Sequence, residues 1–200
     1  RKLREILAYG YLAQKRWSQA LQNFEAAEGF GGQSVVGKAT FENSFALALH
    51  ASGRLRAAAR RYENAIATDP LHSAQAKNNL ANLLLGEKMD LEKALELSRS
   101  AVDLDPNNPD YLDTLGEILL ATGSPQQAMP YFERAIERSA DKPNPLHYKH
   151  LGSALLKVGD AARALAPLQR AAGALPADSE AQALYAEAQI AAQGTAPMHE

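Results

Sequence analysis

The apolar positions of this chain fall into a step of four and then three that recurs five times. Residues 20–28 read ALQNFEAAE, 58–66 AARRYENAI, 94–102 ALELSRSAV, 128–136 AMPYFERAI and 164–172 ALAPLQRAA. Each holds an alanine, a central residue four positions on, and a second alanine three further. The centre is bulky at Phe24, Tyr62, Phe132 and Leu168, and small only at Ser98. With 39 alanines in 200 residues, finding alanine at all ten flanking sites has a chance of roughly one in ten million, so the pattern is a repeat. Steps of four and three keep all three residues on one helix face.

A second helical pattern precedes each of these. Its apolar pairs are Leu7/Ala8, Phe45/Ala46, Leu80/Ala81, Leu115/Gly116 and Leu151/Gly152, followed three residues later by Tyr11, Leu49, Leu84, Leu119 or Leu155. Short turns such as TGS at 122–124 and VGD at 158–160 separate the two helices. Ser124 and Asp160 are expected N-caps there, with Pro125 at the first helical position. Pro70, Pro106 and Pro176 are expected to stop second helices, and Pro130 and Pro167 to bend the helices that contain them. The repeat length of 34–38 residues then predicts an all-α chain of five helix pairs. Residues 179–193, with Leu184, Tyr185 and Ala188 on one face, read as a capping helix, and 194–200 as a disordered tail.

This alternation of Leu, Gly or Ala, Tyr, Ala, Phe or Tyr, Ala and Pro resembles the tetratricopeptide repeat (TPR) family in five consecutive units, about 1–34, 39–72, 74–107, 109–142 and 145–178. The resemblance implies a right-handed α-solenoid forming one array over 1–193, in which alanines let helices approach and the aromatic ring fills the gap to the neighbouring pair. The chain departs from the family where a tryptophan opens each unit: Arg4, Glu42, Lys77, Leu112 and Tyr148 stand there. Gly32 and Ala140 replace two closing prolines.

The family binds partners along the concave surface lined by first helices. Carried over residue by residue, that surface offers Asn43, Ser44, Leu47 and His50, then Asn78, Asn79, Asn82 and Leu85. Asp113, Thr114 and Glu117 follow, and then Lys149, His150, Ser153 and Lys157. Asparagine suits such a groove because its amide both donates and accepts and can pair with the backbone of an extended peptide. Asn43, Asn78, Asn79 and Asn82 are therefore the leading contacts. Acidic Asp113 and Glu117 beside basic Lys149, His150 and Lys157 would favour a ligand of mixed charge, unless these groups pair with one another. The carboxylate clamp of chaperone-binding members does not match, because Glu5 and Tyr9 stand at its first-unit positions and Asp113 and Thr114 where basic residues are needed.

Other chemistry recedes. The run GQSVVGKAT at 32–40 has phosphate-loop spacing through Gly32, Gly37 and Lys38. It follows a helix rather than a strand and has Ala39 in place of the magnesium-binding hydroxyl. His147 and His150 share a helix spacing for metal, with Asp113 or Glu117 as the third ligand, but the expected role is polar surface. No nucleophile–base pair is evident, so the chain is read as a non-enzymatic scaffold without cofactor or metal. Its partner would be a protein or peptide. Net charge −2 gives no pull toward nucleic acid, and no apolar run reaches the roughly 18 residues of a membrane span. The alternatives are self-assembly through an exposed end, or a recruiting array of a larger enzyme or envelope protein. The chain opens at Arg1 and is expected to be an excerpt or processed product. The run from NNLANLLL to LATG is similar to arrays of bacterial cytoplasmic and envelope proteins, polysaccharide-export factors among them. That implies a bacterial source and leaves localisation open, with a lean to the envelope.

Overall fold

The computed structural model describes residues 1–31, 34, 36–139 and 144–194. These form eleven α-helices and one short 3₁₀ turn, with no strand among the described residues. The chain divides into two compact units, Arg1–Leu104 and Asp105–Glu200. The first holds α1 (Lys2–Ala13), α2 (Trp17–Gly29), α3 (Lys38–Ala51), α4 (Leu55–Thr68), α5 (Ala74–Gly86) and α6 (Leu91–Leu104), with the 3₁₀ turn at Pro70–His72. The second holds α7 (Pro109–Ala121), α8 (Pro125–Arg138), α9 (Pro145–Lys157), α10 (Ala161–Ala174) and α11 (Ser179–Gly194).

Helices pair in chain order: α1 with α2, α3 with α4, α5 with α6, α7 with α8, and α9 with α10. Within each unit a second helix also packs on the next first helix, as α2 does on α3, α4 on α5, and α8 on α9. The alanine–bulky–alanine residues make these contacts. All five triples, from Ala20, Phe24 and Ala27 to Ala164, Leu168 and Ala171, are buried. Ser98, the small exception, is also fully buried and donates its hydroxyl to the Leu95 carbonyl at 3.1 Å.

The rings and the small residues of the first helices fit each other directly. A Cβ added to Gly116 would lie 2.5 Å from Cε1 of Phe132, and one added to Gly152 would collide with Leu168. In the first unit Phe24 stacks on Phe45 with centroids 5.4 Å apart, and Phe41 meets both rings edge-on. Edge-to-face and offset stacks add to the burial energy of such rings.

Where the family places tryptophan, polar side chains tie the two helices of a pair. Arg4 donates to Asn23 Oδ1 at 3.1 Å, Arg61 to Glu42 at 3.0 Å, Lys77 to Ser100 Oγ at 3.0 Å, and Arg170 to the Tyr148 hydroxyl at 3.3 Å. Each bond spans the first helix and the second helix of one pair, the contact that the missing indole would otherwise fill. Glu28 adds a second carboxylate to Arg61, and the Arg61 guanidinium also lies 4.2 Å above the Phe45 ring.

The turn inside each pair needs one left-handed residue. Glycine fills it at Gly53, Gly123 and Gly159, with φ of 75°, 79° and 82°, but Lys15 and Lys88 occupy it in the other two pairs, with φ of 56° and 51°. A Cβ makes that region cost roughly 1 kcal/mol. Lys88→Gly should therefore raise stability by a few tenths to about 1 kcal/mol, the gain being trimmed by the added freedom of glycine in the unfolded chain. Urea unfolding of the two proteins side by side checks this.

Helix ends follow the sequence in most places. Asp160 accepts from the Arg163 amide at 3.1 Å as expected. Ser124 occupies the cap position, yet its hydroxyl makes no capping bond; its carbonyl takes the Gln127 and Ala128 amides instead. Asn108 and Asn144 cap α7 and α9 and precede prolines at the first helical position. Helices α8 and α10 run through Pro130 and Pro167 without ending. Neither proline has an N–H, so the Gln126 and Arg163 carbonyls lose their usual intrahelical donors. Helix α11 packs on α10 and α9, with Ala181 and Ala188 buried, and extends one residue past the expected boundary to Gly194. The tail beyond it lies outside the described residues.

Candidate functional site

In each unit the first helices stand side by side: α1, α3 and α5 in one, α7, α9 and α11 in the other. Residues one repeat length apart therefore become neighbours. In the first unit Asn43 on α3 and Asn79 on α5, 36 positions apart, are hydrogen-bonded, Asn79 Nδ2 donating to Asn43 Oδ1 at 3.2 Å. Asn43 Nδ2 in turn donates to Gln75 Oε1 at 3.1 Å. Asn43 is buried, Asn79 half-buried, and Asn82, three residues further along the same helix, is exposed. Gln75 completes this amide row and was missed in the sequence; its signal was the four-residue step to Asn79.

Two expected contacts stand differently. Asn78 is buried, and its Oδ1 has no hydrogen-bond partner among the described residues. It sits one position round the helix from Asn79 and so turns toward the packed side. His50 is half-buried, its ring edge-on to Tyr62 with centroids 6.4 Å apart. Burial lowers its pKa, against a smaller opposing effect of the Glu87 charge.

In the second unit the expected acidic and basic patches pair with one another. His150 on α9 sets Nδ1 3.0 Å from both oxygens of Asp113 and Nε2 3.4 Å from Glu117 Oε1, both acids being on α7. Lys149 Nζ lies 3.1 Å from Asp178 and 2.8 Å from Glu180. Lys157 is exposed at the C-terminal end of α9. Of the two expectations for these groups, pairing is what the structure has: apart from Lys157, the charges join α7 to α9 and α9 to the start of α11.

His147 does not join His150. It is buried, its Nδ1 lies 3.3 Å from the Ser139 hydroxyl, and its Nε2 has no partner among the described residues. The donor atoms that do gather are those of Asp113, Glu117 and His150, all within 4.8 Å of one another. Nδ1 of His150 stands at hydrogen-bond distance from Asp113 and Nε2 at ion-pair distance from Glu117, so each ring nitrogen faces a different carboxylate. Of the phosphate-loop run, residues 32, 33 and 35 lie outside the described residues; Gly37, with φ of 87°, precedes α3.

The pair carries a pH signature. Burial pulls the His150 pKa down, but the Asp113 hydrogen bond and the charges of Asp113 and Glu117 outweigh it, and Lys149 opposes them weakly, so the net shift is upward. Burial likewise raises Glu117, with the His150 charge opposing. A histidine raised on folding contributes stability that is fully present below its unfolded pKa and is lost as pH rises through the folded value. The stability difference between the native chain and His150→Gln should therefore be larger near pH 6 than near pH 9, about three units above. Urea midpoints at the two pH values measure it, and the subtraction removes most of the opposing effect of His50 and His147, which burial lowers.

Comparison with known proteins adds the following. The tetratricopeptide repeat pattern matches residues 44–109 and again 109–142. A thermophilic TPR protein of Thermus thermophilus superposes with a TM-score of 0.71 at 19% identity, over 94% of this chain and 97% of that one. YrrB, described as a TPR protein with an unusual peptide-binding site, gives 0.64 at 22%, over 78% and 79%. PilF of Pseudomonas aeruginosa gives 0.70 at 20%, over 98% and 92%. In sequence, the BBSome complex member BBS4 of Bos taurus is 33% identical over 103 residues. That match spans 47% of this chain and only 19% of the relative.

Proposed function

We propose that this chain, which belongs to the tetratricopeptide repeat family, is a non-enzymatic scaffold that holds an extended peptide or protein segment against its first helices. Folds of this family serve protein–protein interaction, and the observation that carries the finer reading here is the amide row of α3 and α5. Asn43, Gln75 and Asn79 are bonded in sequence across two helices and lead to exposed Asn82. A side-chain amide has two N–H groups and an oxygen with two lone pairs, and the row uses only part of that capacity. The remainder can pair with the amides and carbonyls of a peptide backbone, whatever side chains that peptide carries. Holding Asn79 in place through Asn43 reduces the ordering cost of binding.

In the second unit the paired charges play the supporting part. They fix α7, α9 and α11 in position and leave exposed Lys157 as a cationic contact. YrrB's description as a peptide-binding TPR protein supports a peptide as ligand, and the sources of the Thermus and Pseudomonas neighbours support a bacterial origin.

The reading is tested by selecting binders from a displayed library of unstructured peptides and measuring the best by fluorescence anisotropy. Asn79→Ala and Asn82→Ala should each weaken binding by roughly tenfold, since a lost hydrogen bond left unreplaced costs about 1–2 kcal/mol. Arg60→Ala, on the exposed side of α4, should leave it unchanged. Equal affinity for all four proteins would remove the amide row from the binding site.

A further inference from the structure

We propose that His150 and Glu117 form an exchangeable binding site for a divalent ion of the zinc class between α7 and α9, with Asp113 holding the imidazole in place. Helix geometry brings the donors together. Asp113 and Glu117 are four positions apart on α7 and so share one face, and His150 stands on the adjacent first helix. One donor atom from each of the three lies within 4.8 Å of the other two.

The two sides of the imidazole differ. Nδ1 is 3.0 Å from both Asp113 oxygens, an ordinary hydrogen-bond distance. In the neutral ring that bond keeps the proton on Nδ1. Nε2 then carries the lone pair, and it faces Glu117 Oε1 at 3.4 Å. A lone pair and a carboxylate repel, so their approach calls for a cation between them, a proton or a metal ion. A proton fits the gap poorly, because the distance exceeds the roughly 2.7–3.2 Å of an N–H···O bond. A tetrahedral ion with bonds of about 2.0–2.2 Å to an imidazole nitrogen and a carboxylate oxygen sets those two atoms roughly 3.4 Å apart. The Asp113 side matches as well, since a metal-bound histidine commonly donates its other N–H to a carboxylate.

Exposure and charge agree with this assignment. The His150 side chain is 15% exposed and Glu117 32%, so an ion can enter on the Glu117 side and keep water in its remaining positions. Two carboxylates attract a divalent cation. The neighbouring Lys149 ammonium is held by Asp178 and Glu180, at 3.1 and 2.8 Å. Imidazole with carboxylate suits zinc, nickel or cobalt, whereas calcium and magnesium seek oxygen donors throughout. With two protein bonds the ion exchanges with the surrounding solution, and while bound it ties α7 to α9.

The test is a calorimetric titration of zinc chloride into protein stripped of metal by a chelator. About one equivalent should bind, at least tenfold more tightly than magnesium or calcium. Glu117→Gln and His150→Gln should each weaken zinc binding by at least roughly tenfold. Asp113→Ala should weaken it by about ten- to a hundredfold, and Asp113→Asn, which keeps an oxygen to accept from Nδ1, by less. His72, an exposed imidazole beside Asp69, is the control, and His72→Gln should change nothing. Nitrogen NMR of the histidine rings reads the site in the native chain without any substitution. Zinc should move the His150 Nε2 resonance and leave Nδ1 protonated. Saturating zinc should also raise the urea midpoint of the native chain but not that of Glu117→Gln. No binding at roughly millimolar zinc would overturn the proposal. So would a resonance change at His72 or His147 in place of His150, or equal affinity in the native chain and both glutamine variants at positions 117 and 150.

Discussion

Phe132→Ala is expected to destabilise the second unit by about 3–5 kcal/mol, the range for emptying a fully buried aromatic site. Phe132 has no exposed surface and lies against Gly116 on the paired helix and, with centroids 5.7 Å apart, against the His150 ring of the following pair. Removing the ring opens the contact inside one pair and the contact to the next together. Neither side can collapse into the gap easily, because Ala128 and Ala135 beside it are small and already fully buried. The loss should appear as a lower urea midpoint and as faster hydrogen exchange across α7, α8 and α9. A midpoint within the scatter of the native chain would mean that the ring does not organise the unit.

The second large effect comes from the opposite change. Glycine inside a helix normally costs 0.5–1 kcal/mol or so relative to alanine, so a substitution at Gly116 would ordinarily stabilise α7. Here the added Cβ would lie 2.5 Å from Phe132 Cε1 and 2.8 Å from Cδ1 and Cζ. The ring is fully enclosed and cannot step aside. Gly116→Val should therefore destabilise by about 3 kcal/mol, overpacking outweighing the propensity gain. Gly116→Ala should be milder but of the same sign. Combining Gly116→Ala with Phe132→Leu should recover part of the loss, since the two residues share one space and do not act additively. Thermal unfolding of the four proteins, native, two single and one double, gives the coupling directly.

The shared face of the alanine–bulky–alanine residues was legible before any coordinates, because steps of four and three are a local pattern, and all of them are buried. The close fit of Phe132 on Gly116 and of Leu168 on Gly152 was not, since the expectation had the ring filling the gap to the neighbouring pair. The proline stops and the Asp160 cap were legible as local patterns too. Ser124 was not: its residue type fits a cap, but a hydroxyl rotamer decides whether the bond forms. The polar ties at the tryptophan positions were visible only as departures, since Arg4, Glu42 and Lys77 do not name their partners 19 to 23 residues away.

That these residues stand on first helices was legible; their partners were so only in part. Asn43 and Asn79 were picked as peptide contacts and are bonded to each other, whereas for Asp113 and His150, 37 positions apart, pairing was one of the two expectations and is what the structure has. The repeat length brings successive first helices side by side, but both pairs are offset by one from equal positions: with Leu80 matching Phe45, Asn43 matches Asn78, and with Leu151 matching Leu115, Asp113 matches Lys149. What sequence does not carry is which of two adjacent asparagines turns inward. Asn78 is buried with an unpaired oxygen and Asn79 is half-exposed, a difference set by helix rotation against the neighbouring pair.

Hydrogen exchange with and without a selected peptide bound tests whether a partner lies along the first helices. New protection is expected at the outward residues of α3 and α5, centred on Asn79 and Asn82, with the second helices α4 and α6 unchanged. Protection confined to α4 and α6, with α3 and α5 exchanging as in the free chain, would contradict it.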